Sequence, residues 1–486
     1  MSTDNTENAN LGIGTDEWVA QHEKRLARRS GLLGVIDLLN QKVSPLIRYA
    51  ILGAGAIAFG LFVHNLYLLR IAANLGVFLA LTLGLNVVMG FAGLLDLGFV
   101  AFFGFGAYGY ALTSSAQLNQ HWPTWLSIPA IVITTAFLGY LVSLPSRRLF
   151  GDYLAIVTLF FGQVFIQLII SSDSITFPGH EDSSDITGGS NGIPGLDPFK
   201  FFGYTFKNIT SYYWLLLILV ALLLVAITRV DRTRVGRAWR TVREDPLASQ
   251  SMGIKVNNLK MLAFVVGAAI AGLAGTIFAG IQNAVFINGF DMPLLTLIYA
   301  AVILGGSGSI PGSIMGAFIM SVLPEILRVQ NYSELLFIAV LILTVAALGK
   351  SWKKFGFNIA MVIFIGFLFK VIFAALNIAT TPTKTWAIAP VSKALKYWLF
   401  IPADRILWGN IAFVLLIALI ANYSIAKEKV KLYLLPIIAY LAIFVWEDRL
   451  VADPNTTRQL IIGMMLVVLM IVRPQGFLGK VRVEVL

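Results

Sequence analysis

GLNVVMGFAGLLDLGFVAFFGFGAYGY, residues Gly84 to Tyr110, runs at membrane-spanning hydrophobicity while carrying a glycine or alanine every few residues and one carboxylate, Asp96. A helix that merely anchors needs neither feature. Each interior glycine costs roughly 1 kcal/mol against alanine, and a charged Asp at the centre of a membrane helix costs roughly 2.5 to 3.5 kcal/mol. Small residues offset the first cost by letting neighbouring helices pack at van der Waals contact. An acid inside a bundle faces a partner or a watery path. The segment reads as the packed wall of a transport protein.

Composition extends that reading to the whole chain. With 486 residues, 58% hydrophobic and 13% charged, a soluble surface cannot be built, so the fold class is an all-α polytopic membrane protein embedded in a lipid bilayer. The formal net charge of +11 comes from Lys and Arg in short loops between apolar spans, without an aromatic-interleaved basic patch, and no nucleic acid partner is expected. The absence of cysteine excludes disulfides, thiolate metal sites and Cys nucleophiles. His22, His64, His121 and His180 lack a metal spacing. No nucleophile and base pair stands at membrane depth, so no catalytic residues are assigned.

Windows of about 20 apolar residues, the length that crosses a bilayer, fall at 47–65, 71–92, 98–118, 125–145, 153–171, 212–228, 261–281, 292–306, 311–327, 334–348, 356–377, 405–424, 432–447 and 458–473, about fourteen in all. With the N-terminus inside, the inside loops collect Arg147, Arg148, the run from Arg229 to Arg243, Lys350, Lys353, Lys354, Lys427, Lys429, Lys431, Arg473, Lys480 and Arg482, as the positive-inside rule requires. The outside stretch 378–404, with Lys384, Lys393 and Lys396, is the main exception. Both termini are thereby expected in the cytoplasm. Residues 1–46 carry Lys24, Arg25, Arg28 and Arg29 but no signal-peptide core, so they are expected to be kept. They form either a plain tail or, over Asp16 to Leu33, an amphipathic helix on the membrane surface.

Two hydrophilic connections stand out. The outer one, Ser172 to Ser211, holds Asp173, Glu181, Asp182, Asp185 and Asp197 beside TGGSNGIPG (Thr187 to Gly195), whose glycines suit tight turns. It is either an ordered lid or docking surface, or a solvated loop. The inner one, Arg229 to Lys260, contains EDPLASQSMGI (Glu244 to Ile254). Asp245 is placed to cap a helix, Pro246 fits its first position and Gly253 fits just past its end. This short helix has an apolar face of Leu247, Ala248, Met252 and Ile254 with no core of its own to cover. It suits a groove on a partner protein or, as the alternative, a seat flat on the membrane.

Gly308, Gly312 and Gly316 recur at four-residue spacing in GGSGSIPGSIMGA (Gly305 to Ala317), and Ala268 with Gly272 and Ala271 with Gly275 make small-residue faces on the helix after the inner loop. Such rows give close helix packing. No Lys follows the glycines, so they do not form a nucleotide-binding loop.

The chain resembles the permease subunits of ABC importers for branched-chain amino acids, specifically the M-type (LivM-like) subunit. The resemblance is carried by Gly84 to Leu112, GDYLAIVTLFFGQV (Gly151 to Val164), TGGSNGI (Thr187 to Ile193), Gly236 to Ala279, GGSGSIPGSIMGA and RPQGFLG (Arg473 to Gly479), which occur in the family's order over about 330 residues. It implies a permease core of about ten transmembrane helices in a bacterial inner membrane, paired with an H-type permease. Two cytoplasmic ATPase subunits then bind beneath, holding ATP and Mg, and a periplasmic substrate-binding protein docks above. This chain would bind no cofactor or metal and perform no chemistry. Glu244, Asp245, Leu247, Ala248, Met252 and Gly253 fall where such permeases carry their ATPase-coupling helix.

The chain departs from the family after PEILRVQ (Pro324 to Gln330), where members usually run almost directly into their last helix. Here roughly 125 extra residues intervene, reading as about four inserted helices with Lys370, Phe364, Phe367 and Trp398 and no repeated small-residue face. An even number leaves the final helix its usual direction, so the insertion is topologically neutral, and without a repeated small-residue face it reads as a lipid-facing appendage. The expected organisation is a cytoplasmic segment 1–46, a core 47–330 with coupling loop 229–260, an insertion 331–456 and a last core helix with tail 457–486. Many relatives carry Glu where this chain has Gln163. Asp96 stands where Ser is common, and either hydrogen-bonds a neighbouring helix or lines the substrate path. Asn86, Asp96, Tyr108 and Ser307 are the candidate pathway residues. Related subunits carry urea or short amides, which these residues do not separate from leucine. An ion-coupled secondary carrier would need a relay of buried acids or histidines, and only Asp96 and Glu325 approach one.

Overall fold

The computed structural model describes residues 45–115, 119–145, 152–173, 175–176, 183–184, 186–201, 203–328, 330–349, 352–375, 380–381, 397–399, 401–426, 428–450, 463 and 476–478. Among them ten helices are long and apolar enough to cross a membrane, and three shorter apolar helices accompany these: Ile51–Phe62, Phe99–Thr113 and Phe337–Ala346. They answer to every apolar window from 47–65 to 432–447. The window 458–473 and the segment Asp16 to Leu33 lie outside the described residues. The chain is a multi-pass, all-α membrane protein.

Two compact units are present, Met1–Asn65 and Leu66–Leu486. The first contains α1 (Pro45–Phe62), which by sequence alone counts with the core.

The second unit begins with α2 (Leu66–Leu85), which runs on as a π-helical turn, Asn86–Phe91. There follow α3 (Phe99–Thr113), α4 (Thr124–Ser143), α5 (Asp152–Ser171), α6 (Ile209–Arg232), α7 (Arg234–Glu244), α8 (Pro246–Ser251), α9 (Val256–Gln282), α10 (Met292–Gly305) and α11 (Ile310–Arg328). Helix α9 is central, lying against α3, α4 and α2. The small-residue faces explain this placement. A Cβ at Gly275 would overlap the Phe103 carbonyl, one at Gly272 would overlap the Thr135 side chain, and one at Gly106 would overlap the Gly272 carbonyl. The α3 and α9 backbones touch with no side chain between them, and α4 is kept off α9 by no more than the short Thr135 side chain, which is how helices gain dispersion energy in lipid, where hydrophobic burial offers none. Gly312 and Gly316 do the same for the α10/α11 pair, facing the carbonyls of Gly305 and Ala301. Gly308 stands outside this row. It precedes α11 in a turn with φ of +82°, because the helix starts only at Ile310.

The region expected to be inserted contains α12 (Gln330–Gly349), α13 (Trp352–Ala375), α14 (Arg405–Ile425) and α15 (Glu428–Val445). It has its own core, in which Ile365, Leu416, Tyr440, Leu441, Phe444 and Trp446 are buried together with Leu327 of α11. Phe364 and Phe367 are exposed, as a lipid-facing surface requires. Lys370 donates to the Tyr397 carbonyl at 2.6 Å, and the Trp398 indole N–H donates to the Ile363 carbonyl at 2.8 Å.

Candidate functional site

Helix α8 has the boundaries that its residues dictate. Asp245 Oδ1 accepts the N–H groups of Leu247 at 2.8 Å and Ala248 at 3.0 Å, and Pro246 stands at the first turn. Such a cap contributes about 1 kcal/mol. At the other end Gly253, with φ of +80°, donates to Gln250 at 3.0 Å while Ile254 donates to Ser249 at 3.1 Å, a Schellman closure that satisfies the last carbonyls. The helix presents Leu247, 73% exposed, and Met252, 83% exposed, with Glu244, Asp245, Ala248 and Gly253 also exposed. Helix α7 fixes its position: Trp239 is buried, and its indole N–H donates to the Leu259 carbonyl of α9 at 2.8 Å.

Between these helices and the membrane bundle lies Arg243, in the last turn of α7. Its Nη1 donates to the Gly90 carbonyl of the π-helical turn, and also to the Ser307 carbonyl at 3.4 Å; its Nη2 donates to Ser307 Oγ at 2.9 Å. The route is open only because residues along it lack a side chain. A Cβ at Gly93 would stand 2.7 Å from Arg243 Cγ, and one at Gly308 would stand 2.5 Å from Nη1. Asn86, fully buried, crosses over Gly90 and accepts the Gly308 N–H on Oδ1 at 2.8 Å. The wider π turn, where Ala92 donates to the Val87 carbonyl at 3.2 Å, sets this register; such turns are frequent at functional sites. From the other side, Phe477 and Leu478 donate their N–H groups to the carbonyls of Leu304 and Gly305 at 2.8 and 3.0 Å, closing the end of α10. The glycine-rich turn is thus filled by the chain's own Asn86 and Arg243.

Two of the four pathway candidates, Asn86 and Ser307, therefore meet at one joint, with Gly308. Asp96 and Tyr108 sit elsewhere. Asp96 lies in the link between the π turn and α3, where Tyr299 of α10 clamps it: the Asp96 N–H donates to Tyr299 Oη at 2.9 Å, and that hydroxyl donates to the Asp96 carbonyl at 2.6 Å. Its carboxylate Oδ1 accepts the Gly98 N–H at 3.0 Å, while Oδ2 is buried without a partner among the described residues. Thr158 of α5 takes the Leu97 N–H at 2.9 Å. Tyr108 is buried between the rings of Phe165 and Phe290. Gln163 is exposed and, with Leu97, Gly98, Gly162 and Asp291, lines a shallow hollow.

At the opposite end of α9, the loop around TGGSNGIPG is ordered. Ile193–Pro194 pairs antiparallel with Ala284–Val285, Thr187 donates to the Ile169 carbonyl at 2.7 Å, and Tyr110 donates to the Asp197 carbonyl at 2.7 Å. Glu181, Asp182 and Asp185 lie outside the described residues.

Sequence reasoning counted Arg243 only as one more basic loop residue and passed over Tyr299 and Thr158. The one available signal was the position of Arg243 directly before the capped helix. Among the described residues no group of three or more His, Asp or Glu is placed to hold a metal ion.

A family model described as "Branched-chain amino acid transport system / permease component" matches residues 67–345. It takes in most of α12, which the family resemblance alone had assigned to the insertion. The chain is 36% identical over 292 residues to the high-affinity branched-chain amino acid transport system permease protein LivM of Salmonella typhimurium, covering 55% of this chain and 65% of that protein. It is 36% identical over 286 residues to LivM of Escherichia coli, covering 54% and 64%. Against the permease protein LivH of Salmonella typhimurium it is 26% identical over 281 residues, covering 54% and 86%. The match thus spans just under two thirds of either LivM protein. No solved structure matches.

Proposed function

This chain belongs to the permease components of branched-chain amino acid transport systems, and from that premise we propose that it is the M-type half of an ATP-driven importer for branched-chain amino acids. It pairs with an H-type permease in the bacterial inner membrane, receives substrate from a periplasmic binding protein and is driven by two cytoplasmic ATPases that hold ATP and Mg. Both termini and the α7/α8 loop face the cytoplasm, in keeping with the basic loops. The observation that carries the proposal is α8. Leu247 and Met252 are exposed on a helix capped at both ends, an apolar anchor of the kind that seats in a groove on a partner. ATP closing the ATPase pair would displace α8, while this chain supplies the wall of the path and no chemistry.

Purification with co-expressed partners tests this reading. The wild type is expected to bring ATPase subunits along, and Leu247→Arg to release them. Absence of ATPase subunits from both samples, with transport abolished by dissipating the ion gradients, would overturn the proposal in favour of an ion-coupled carrier.

A further inference from the structure

We propose that Arg243 is the positioning residue that carries motion of α8 into the bundle, by holding the π-helical turn of α2 and the Gly306–Ser309 break between α10 and α11 in one grip. The inference rests on the importer reading above.

The connection has few links. Arg243 lies two residues before the cap residue Asp245, so only Glu244 separates it from the capped start of α8. Its guanidinium touches two transmembrane segments at the places where their regular hydrogen bonding is interrupted: Gly90 in the π turn and Ser307 in the turn before α11. Interrupted backbone is where a helix bends most easily. The two breaks are also tied to each other by Asn86 Oδ1 and the Gly308 N–H at 2.8 Å. A planar guanidinium engages both segments from two nitrogens held in a fixed geometry, which a single ammonium lacks. The glycines at 93 and 308 keep the passage clear: a Cβ at either would meet the Arg243 side chain at 2.7 and 2.5 Å. The π turn leads directly into the Asp96 link, held by Tyr299 on α10. Motion entering at Arg243 therefore reaches α2, α10 and α11 together.

The test uses the complete complex of both permeases, ATPases and binding protein in proteoliposomes, comparing wild type with Arg243→Met, Arg243→Lys and Ser307→Ala. The readout is substrate taken up per ATP hydrolysed, a ratio that a merely structural role would leave unchanged while recovery and total activity fell together. Arg243→Met is expected to keep ATP hydrolysis but lower the ratio about tenfold or more, within the range of coupling energies between sites. Arg243→Lys should lie between it and the wild type, and Ser307→Ala should lose least. A ratio equal to wild type in Arg243→Met overturns the assignment. Should that variant not be recovered from the membrane, an unchanged ratio in both Arg243→Lys and Ser307→Ala overturns it equally. A wild-type complex that neither hydrolyses ATP nor responds to substrate overturns the importer reading and this inference with it.

Discussion

The bundle around α9 and the inserted helices α13 to α15 solve one problem in two ways. In the bundle, backbones touch: Gly106, Gly272, Gly275, Gly312 and Gly316 each face a carbonyl or side chain that leaves no room for a Cβ. In the insertion, rings and branched chains interdigitate, with Phe369 stacked on Tyr440 at 5.2 Å and Trp398 edge-on to Tyr440 at 5.5 Å. Burial follows position within each packed group rather than this division. Of the best spanning window, 72% is buried in the central Leu66–Phe91, whereas the peripheral Ile209–Arg232 of the bundle and Phe355–Ile372 of the insertion are each 17% buried. A glycine-packed interface is specified to a fraction of an ångström. An aromatic core tolerates more repacking.

The largest effect should come from Gly275→Leu. Overpacking a filled site costs about 1 to 3 kcal/mol or more, and here the obstacle is the Phe103 backbone, so we expect little folded protein on size exclusion in detergent. The matching change in the insertion, Gly356→Leu, meets nothing within 4 Å and should behave as wild type; equal damage from both would erase the comparison. Next, Trp398→Ala should cost about 1 to 3 kcal/mol locally, because its partly buried indole covers Gly366 and packs edge-on against Tyr440. The expected reading is faster proteolysis of the inserted helices with ATPase co-purification retained. Loss of co-purification would show that the insertion supports the bundle. Tyr299→Phe removes both hydroxyl bonds to the Asp96 backbone and should cost about 1 to 3 kcal/mol, seen as a lower unfolding midpoint of the bundle. Smallest, Asp245→Ala removes the α8 cap, about 1 kcal/mol. It should leave the unfolding midpoint unchanged yet weaken ATPase association roughly fivefold, measured by titrating the purified subunits.

Features set by neighbours in the chain were legible in the sequence. Asp245, Pro246 and Gly253 bound α8 as their spacing dictates, and Gly272 and Gly275 lie on the packed face of α9, because caps and helical rows depend on residues one to four positions apart. Gly308 was read as part of a helical row and instead forms the turn that admits Arg243. Its spacing matched the row, but its backbone conformation was chosen by contacts made far along the chain.

Sequence by itself determined that this chain crosses the membrane many times, where most helices begin and end, and which family it belongs to, since hydropathy, caps and short motifs are local properties. Only the tertiary structure decided that Arg243 grips Gly90, 153 residues away, and that Tyr299 holds Asp96 across 203 residues. Such pairings follow from how whole helices stack, and no pattern within one segment encodes them.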